Sequence, residues 1–126
     1  MILLDTSVLV ASFASPRPLL PAFKGTVSSG TRLIISTIVL YEWLRGPRLP
    51  FELEDQEALL PGERAVPFGI REAEIAAKLY RHVPRPRGRE IDLAIAACAI
   101  ARDIPLWTLN RADFADIPGL TLAHIH

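Results

Sequence analysis

Cysteine is almost missing from this chain: Cys98 is alone among 126 residues. An internal disulfide is therefore impossible, and stability must come from a packed core, as is usual in a reducing compartment. The flanking IAACAI makes that cysteine a small buried hydrophobe rather than a nucleophile. Lysine is scarce too, present only as Lys24 and Lys78, although arginine raises the basic total to 14, which 14 acids cancel. With no net charge, the total points to neither a nucleic acid nor a membrane surface, and only the distribution of charge can. Long apolar runs are lacking as well: nothing approaches the roughly 20 residues that a bilayer span requires. The opening MILLDTSVLVASFASP makes a poor secretion signal, because no Lys or Arg precedes Arg17, Asp5 interrupts the apolar run and Ala14 suits a cleavage site badly. The expectation is a soluble, cytoplasmic protein with no membrane partner.

What is present is apolar material for a core, 50% of the residues, in a chain whose length suits a single domain over 1–126. Short apolar runs bounded by polar residues read as strands covered on both faces: Ile2 to Leu4, Arg32 to Ser36, Ala65 to Phe68, Pro105 to Leu109, and LTLAHI near the end. Helical patterns lie between them at Ser7 to Phe13, Leu19 to Ser29, Thr37 to Arg45, Leu53 to Leu60, Ile70 to His82 and Ile91 to Ala101. The stripe Ile70, Ala73, Ala77 and Tyr80 is read as the buried face of its helix, and the Ala-rich last helix as lying flat on a sheet. Strands alternating with helices predict an α/β fold with a mostly parallel sheet and helices on both faces. Ligands of such folds bind where the strands end.

That rule sorts the acids. Asp5 ends the first strand, Glu42 lies in the second turn of the helix after the second strand, Asp92 opens the apolar helix, and Asp113 follows PLWTL. All four belong at one edge of the sheet. Helix capping also places acids there: Asp5 could cap the next helix, Asp92 could favour its helix dipole, and Asn110 with Asp113 could form a capping box variant. Glu42 escapes that account. It lies beyond capping range among the apolar residues of TIVLYEWL, and Arg45 can offer only a weak surface pair. Carboxylates converging on one spot repel unless a cation sits between them, and hard oxygen ligands suit Mg²⁺ or Mn²⁺. Glu52, Glu54, Asp55, Glu57, Glu72 and Glu74 read as ordinary solvated acids.

The stretches DTSVLV, STIVLYEWLRG, EIDLAIAACA and LWTLNRADFADIPGL resemble, in this order, the signature blocks of PIN domains, and most closely the VapC-type toxins of toxin–antitoxin pairs. The resemblance implies a three-layer α/β/α sandwich and a metal-dependent ribonuclease whose acidic cluster is Asp5, Glu42, Asp92 and Asp113. It implies supporting polar groups at Thr6, Ser7, Thr108 and Asn110, 5′-phosphate and 3′-hydroxyl products, a homodimer, and a small antitoxin covering the groove. Asp5, Asp92 and Asp113 are expected to hold the ion, with Glu42 binding directly or through water and orienting the nucleophile. Two features depart from the family: Trp43 replaces the more usual smaller aliphatic residue, and Pro47 to Pro86 carries nothing diagnostic.

An RNA substrate needs positive charge. RHVPRPRGR, Arg81 to Arg89, places four arginines in nine residues just before Asp92. It is either a solvated linker stiffened by proline or a phosphate-binding loop built on Arg85, Arg87 and Arg89. His124 and His126 would share a strand face but lack a third ligand, and Trp43 and Trp107 read as packing residues. A receiver-like signalling domain also gathers acids and Mg²⁺ at such an edge, but no Lys follows a late strand here. A PIN-like RNA binder without nuclease activity is the remaining alternative.

Overall fold

In the computed structural model, which describes residues 1–125, three short parallel strands form the centre of the molecule. β1 (Ile2–Leu4) lies between β2 (Leu33–Ile34) and β3 (Leu106–Trp107). Leu3 pairs with both Ile34 and Leu106, so every residue of β1 from Leu3 onward is covered and fully buried. The two outer segments expected as strands reach the sheet only through single parallel bridges, Ser36 with Val66 and Leu106 with Leu122. At the first of these Pro67 follows directly and has no N–H to extend the ladder. Counting both, five extended segments stand in the order 66, β2, β1, β3, 122.

Helices fill the crossovers. α1 (Thr6–Phe13) and α2 (Leu20–Ser28) join β1 to β2; α3 (Thr37–Arg45) and α4 (Pro50–Leu59) join β2 to the Val66 segment. α5 (Ile70–His82) and α6 (Glu90–Arg102) return to β3, and α7 (Arg111–Phe114) precedes the last segment. Right-handed crossovers put α1 to α4 on one face and α5 to α7 on the other. Within the faces α1 touches α2, α3 and α4, and α6 touches α5 and α7; α3 and α6 also meet, across the two layers. The crossovers diverge between β1 and β3, so their carboxyl ends flank the switch point where α/β sheets bind ligands.

Ser36 starts α3 by accepting the Val39 N–H at 3.1 Å. Trp43 on that helix is fully buried; its ring stacks edge-on to Phe13, centroids 6.4 Å apart, and the Arg48 guanidinium lies 4.1 Å from its centroid. It is a core residue. α6 lies flat as its composition predicted, with Leu93 through Ala99 all buried. The burial of Cys98 pushes its thiol up to about 11, which leaves it inert.

The buried face of α5 is not the predicted one. Ile70 is 82% exposed, Ala73, Ala77 and Tyr80 are exposed with it, and the helix instead turns Glu72, Ile75, Ala76 and Leu79 inward. Glu72 is tolerated there because it accepts the Gly69 N–H at 3.1 Å and pairs with Arg102 of α6 at 3.0 Å. Glu52, also read as solvated, is buried and accepts the N–H groups of Leu49 and Ser15 at 2.8 and 2.9 Å. Both acids are third in their helices, where a carboxylate can turn back onto the residue preceding the helix.

Candidate active site

The end of β1 delivers Asp5 to the switch point. Its backbone N–H bonds to the Trp107 carbonyl at 2.9 Å, locking it beside the end of β3. Although Asp5 occupies the N-cap position of α1, its side chain makes no capping bond. The carboxylate, almost wholly buried, accepts Ser7 Oγ–H at 2.8 Å and Thr108 Oγ1–H at 2.7 Å, both on Oδ2. These hydroxyls are themselves tied down, since the Leu109 N–H donates to Ser7 Oγ at 3.1 Å and the Asn110 N–H to Thr108 Oγ1 at 3.0 Å. The capping explanation of Asp5 therefore fails, and its carboxylate is oriented by a polar cradle in a dry place.

Glu42 reaches the same edge from α3. Thr6, the first residue of α1, donates its hydroxyl to Glu42 Oε1 at 2.5 Å, while Arg45 approaches Oε2 at 3.3 Å from an exposed position. Asp92 enters from the first turn of α6. Burial pushes its carboxyl up to about 6, and the charges of Asp5, Asp113 and Glu42 push in the same direction against the pull of Arg89. Asp92 therefore senses the other three acids at once. Asp113 is exposed on α7, and the Asn110 side chain makes no cap to that helix.

Among the described residues, no group of three or more His, Cys, Asp or Glu side chains is gathered tightly enough to hold a metal ion as it stands. The donor set is nonetheless hard oxygen throughout, and the raised Asp92 carboxyl marks a concentration of negative charge that a divalent cation would relieve. The oxygen chemistry of these acids fits such an ion. His124 is exposed, and its expected companion His126 lies outside the described residues.

The arginine cluster divides. Arg85 and Arg87 are exposed, and neither is in an ion pair among the described residues. Arg89 is engaged instead by Asp116, at 2.5 Å. Asp116 is the residue that sequence reasoning passed over; only its place three positions after Asp113 offered a signal.

Comparison with known proteins bears on this geometry. The family model of the PIN domain matches residues 2–120. A ribonuclease VapC of Rickettsia bellii (strain RML369-C) is 45% identical over 58 residues, 44% of this chain; the match spans 42% of that relative's length. The fold is similar to VapBC2 from Rickettsia felis bound to a promoter DNA fragment, with TM-score 0.73, 22% identity and 98% of each chain covered. It is also similar to DNA-bound VapBC from Salmonella typhimurium, with TM-score 0.74, 22% identity, and 97% of this chain and 96% of that one covered.

Proposed function

The chain belongs to the PIN domain family, and from that premise we propose that it is a divalent-metal-dependent endoribonuclease that acts in the cytoplasm as the toxin of a toxin–antitoxin pair. The observation that carries this reading is the buried Asp5 carboxylate, which stands at the N-cap of α1 without capping it and is held instead by Ser7 and Thr108 at the switch point of a parallel sheet. Receiver-like signalling no longer competes, because it belongs to another family.

Asp5, Asp92 and Asp113 would hold Mg²⁺ or Mn²⁺, with Glu42 beside them. When bound, such an ion acidifies the attacking water and neutralises charge on the phosphoryl oxygens. The protein's own contribution is orientation. Ser7 and Thr108 fix the Asp5 carboxylate, so it loses no rotational freedom when a cation arrives. Thr6 holds one oxygen of Glu42, leaving Oε2 to orient the nucleophile near Arg45. Exposed Arg85 and Arg87 lie in the turn before α6 and would take RNA phosphates through long-range attraction.

The similar structures are complexes, and two of the apolar surfaces exposed among the described residues suit a partner. One is the α5 stripe around Ile70 and Tyr80; the other is the outer face of α3, where Tyr41 and Leu44, 56% and 54% exposed, flank Glu42. The second suits an antitoxin covering the groove, and the first a homodimer.

The test is incubation of the purified protein and of Asp5→Asn with structured RNA in Mg²⁺ and in Mn²⁺. Cleavage leaving 5′-phosphate ends, reduced more than about 100-fold in the variant, supports the reading. Equal cleavage by both proteins overturns it, and tight RNA binding without cleavage turns it to the non-catalytic alternative.

A further inference from the structure

Arg89 stands at the N-cap position of α6, three residues before Asp92. Its guanidinium meets two separate segments. Nη1 donates to the Pro84 carbonyl at 3.0 Å and to Asp116 Oδ2 at 3.1 Å, while Nη2 donates to Asp116 Oδ1 at 2.5 Å and to the Asp113 carbonyl at 3.0 Å. The Asp116 pair is a two-pronged fork that a lysine could not reproduce. One end of this clamp is the turn that starts α6; the other is α7 and the residues after it. It therefore spans the two elements that carry Asp92 and Asp113.

α7 needs such an anchor. It has four residues, far fewer than an isolated helix requires, and no side-chain cap. Its backbone carbonyl at Asp113 is held by Arg89 directly. Four of the guanidinium's donor contacts are already taken within the protein, unlike those of the exposed Arg85 and Arg87, so little capacity is left for an RNA phosphate. Resting on the function proposed above, we infer that Arg89, locked by Asp116, is a positioning residue that sets the spacing of the Asp92 and Asp113 carboxylates for cation capture and does not itself bind RNA.

The experiment is calorimetric titration of the metal-free full chain with Mn²⁺, for the parent, Arg89→Ala, Asp116→Asn and their combination, at a temperature where each is fully folded. RNA affinity is measured beside it as a function of salt, in EDTA. The expected result is a loss of Mn²⁺ affinity of about tenfold in each single variant. The combination should lose no more, since both residues serve one clamp. Asp116→Glu should recover part of the loss, and the salt slope of RNA binding should not move. If Arg89→Ala does not fold, Asp116→Asn carries the test, because the Asp116 side chain is 40% exposed. Unchanged Mn²⁺ affinity with a lower melting temperature would make the clamp merely structural and overturn the inference. A salt slope shallower by about one in Arg89→Ala alone would overturn it too, by making Arg89 a phosphate contact. Failure of the parent to bind Mn²⁺, or binding by Asp5→Asn as tight as the parent's, sinks the metal reading and this inference with it; normal parent binding with indifferent variants sinks the clamp alone.

Discussion

At the scale of single residues, two carboxylates of the site are held by hydroxyls, Asp5 by Ser7 and Thr108 and Glu42 by Thr6. Thr108→Val removes one of the two hydroxyls on Asp5 Oδ2 while preserving shape. Cleavage rate should fall about tenfold, measured as initial rates at saturating Mg²⁺. Asp92 allows a different prediction. An acid raised from 3.8 to about 6 in the folded state holds its proton more tightly there than in the unfolded chain. Stability of the metal-free protein therefore falls as pH rises between about 4 and 6, and the loss is complete above that window. Asp92→Asn should melt about 3 °C above the parent in EDTA at pH 7.5, level with it at pH 4, and cleave no RNA. The same melting temperature for both proteins at pH 7.5 would mean that Asp92 carries no electrostatic burden. Asp5, Glu42, Asp92 and Asp113 were read as acids of one edge because strand ends and helix starts share that edge. The Asp116 partner of Arg89 was not, since a contact across 27 positions leaves no local pattern in sequence.

Elements were read well where periodicity and punctuation agreed. α3 and α5 have the predicted bounds, Thr37–Arg45 and Ile70–His82, with Gly46 and Pro47 stopping the first. The inward face of α5 was misread because the charge of Glu72 disguises it, and only Arg102, on the next helix, makes that charge tolerable. Helix α7 was seen only as a possible capping motif, being too short to show a period. Glu72→Gln tests the packing of α5 on α6. Its carboxyl is held below the usual range, first by backbone hydrogen bonding in its own turn and then by Arg102. The stability it contributes is thus present above the unfolded pKa and lost as pH falls through the folded one. Chemical denaturation at pH 7 should show a loss of about 1 kcal/mol, shrinking below pH 4. No loss at pH 7 would show that the buried pair contributes nothing net.

For the whole molecule, alternation of strand and helix sufficed to predict a parallel sheet between two helical layers, and the arrangement is that of the PIN fold. Among the described residues the expected five strands reduce to three strands and two bridges, because one outer segment runs into Pro67 and the other pairs only with the first residue of the two-residue β3. The face left open on α5 carries a prediction about assembly. Light scattering should give twice the 13.9 kDa of the chain, and Ile70→Glu with Tyr80→Glu should return it to the monomer mass. A dimer that survives both substitutions places the interface elsewhere, with the Tyr41 and Leu44 face next to be tested. On the function proposed above, a cation held by Asp5, Asp92 and Asp113, with Glu42 beside it, makes this chain a ribonuclease. The most direct test is the initial rate of RNA cleavage by one protein sample before EDTA, in excess EDTA, and after Mg²⁺ is restored. In the parent, cleavage should stop in EDTA and return with Mg²⁺; in Asp5→Asn there should be none at any stage. Cleavage that continues undiminished in EDTA would contradict that function.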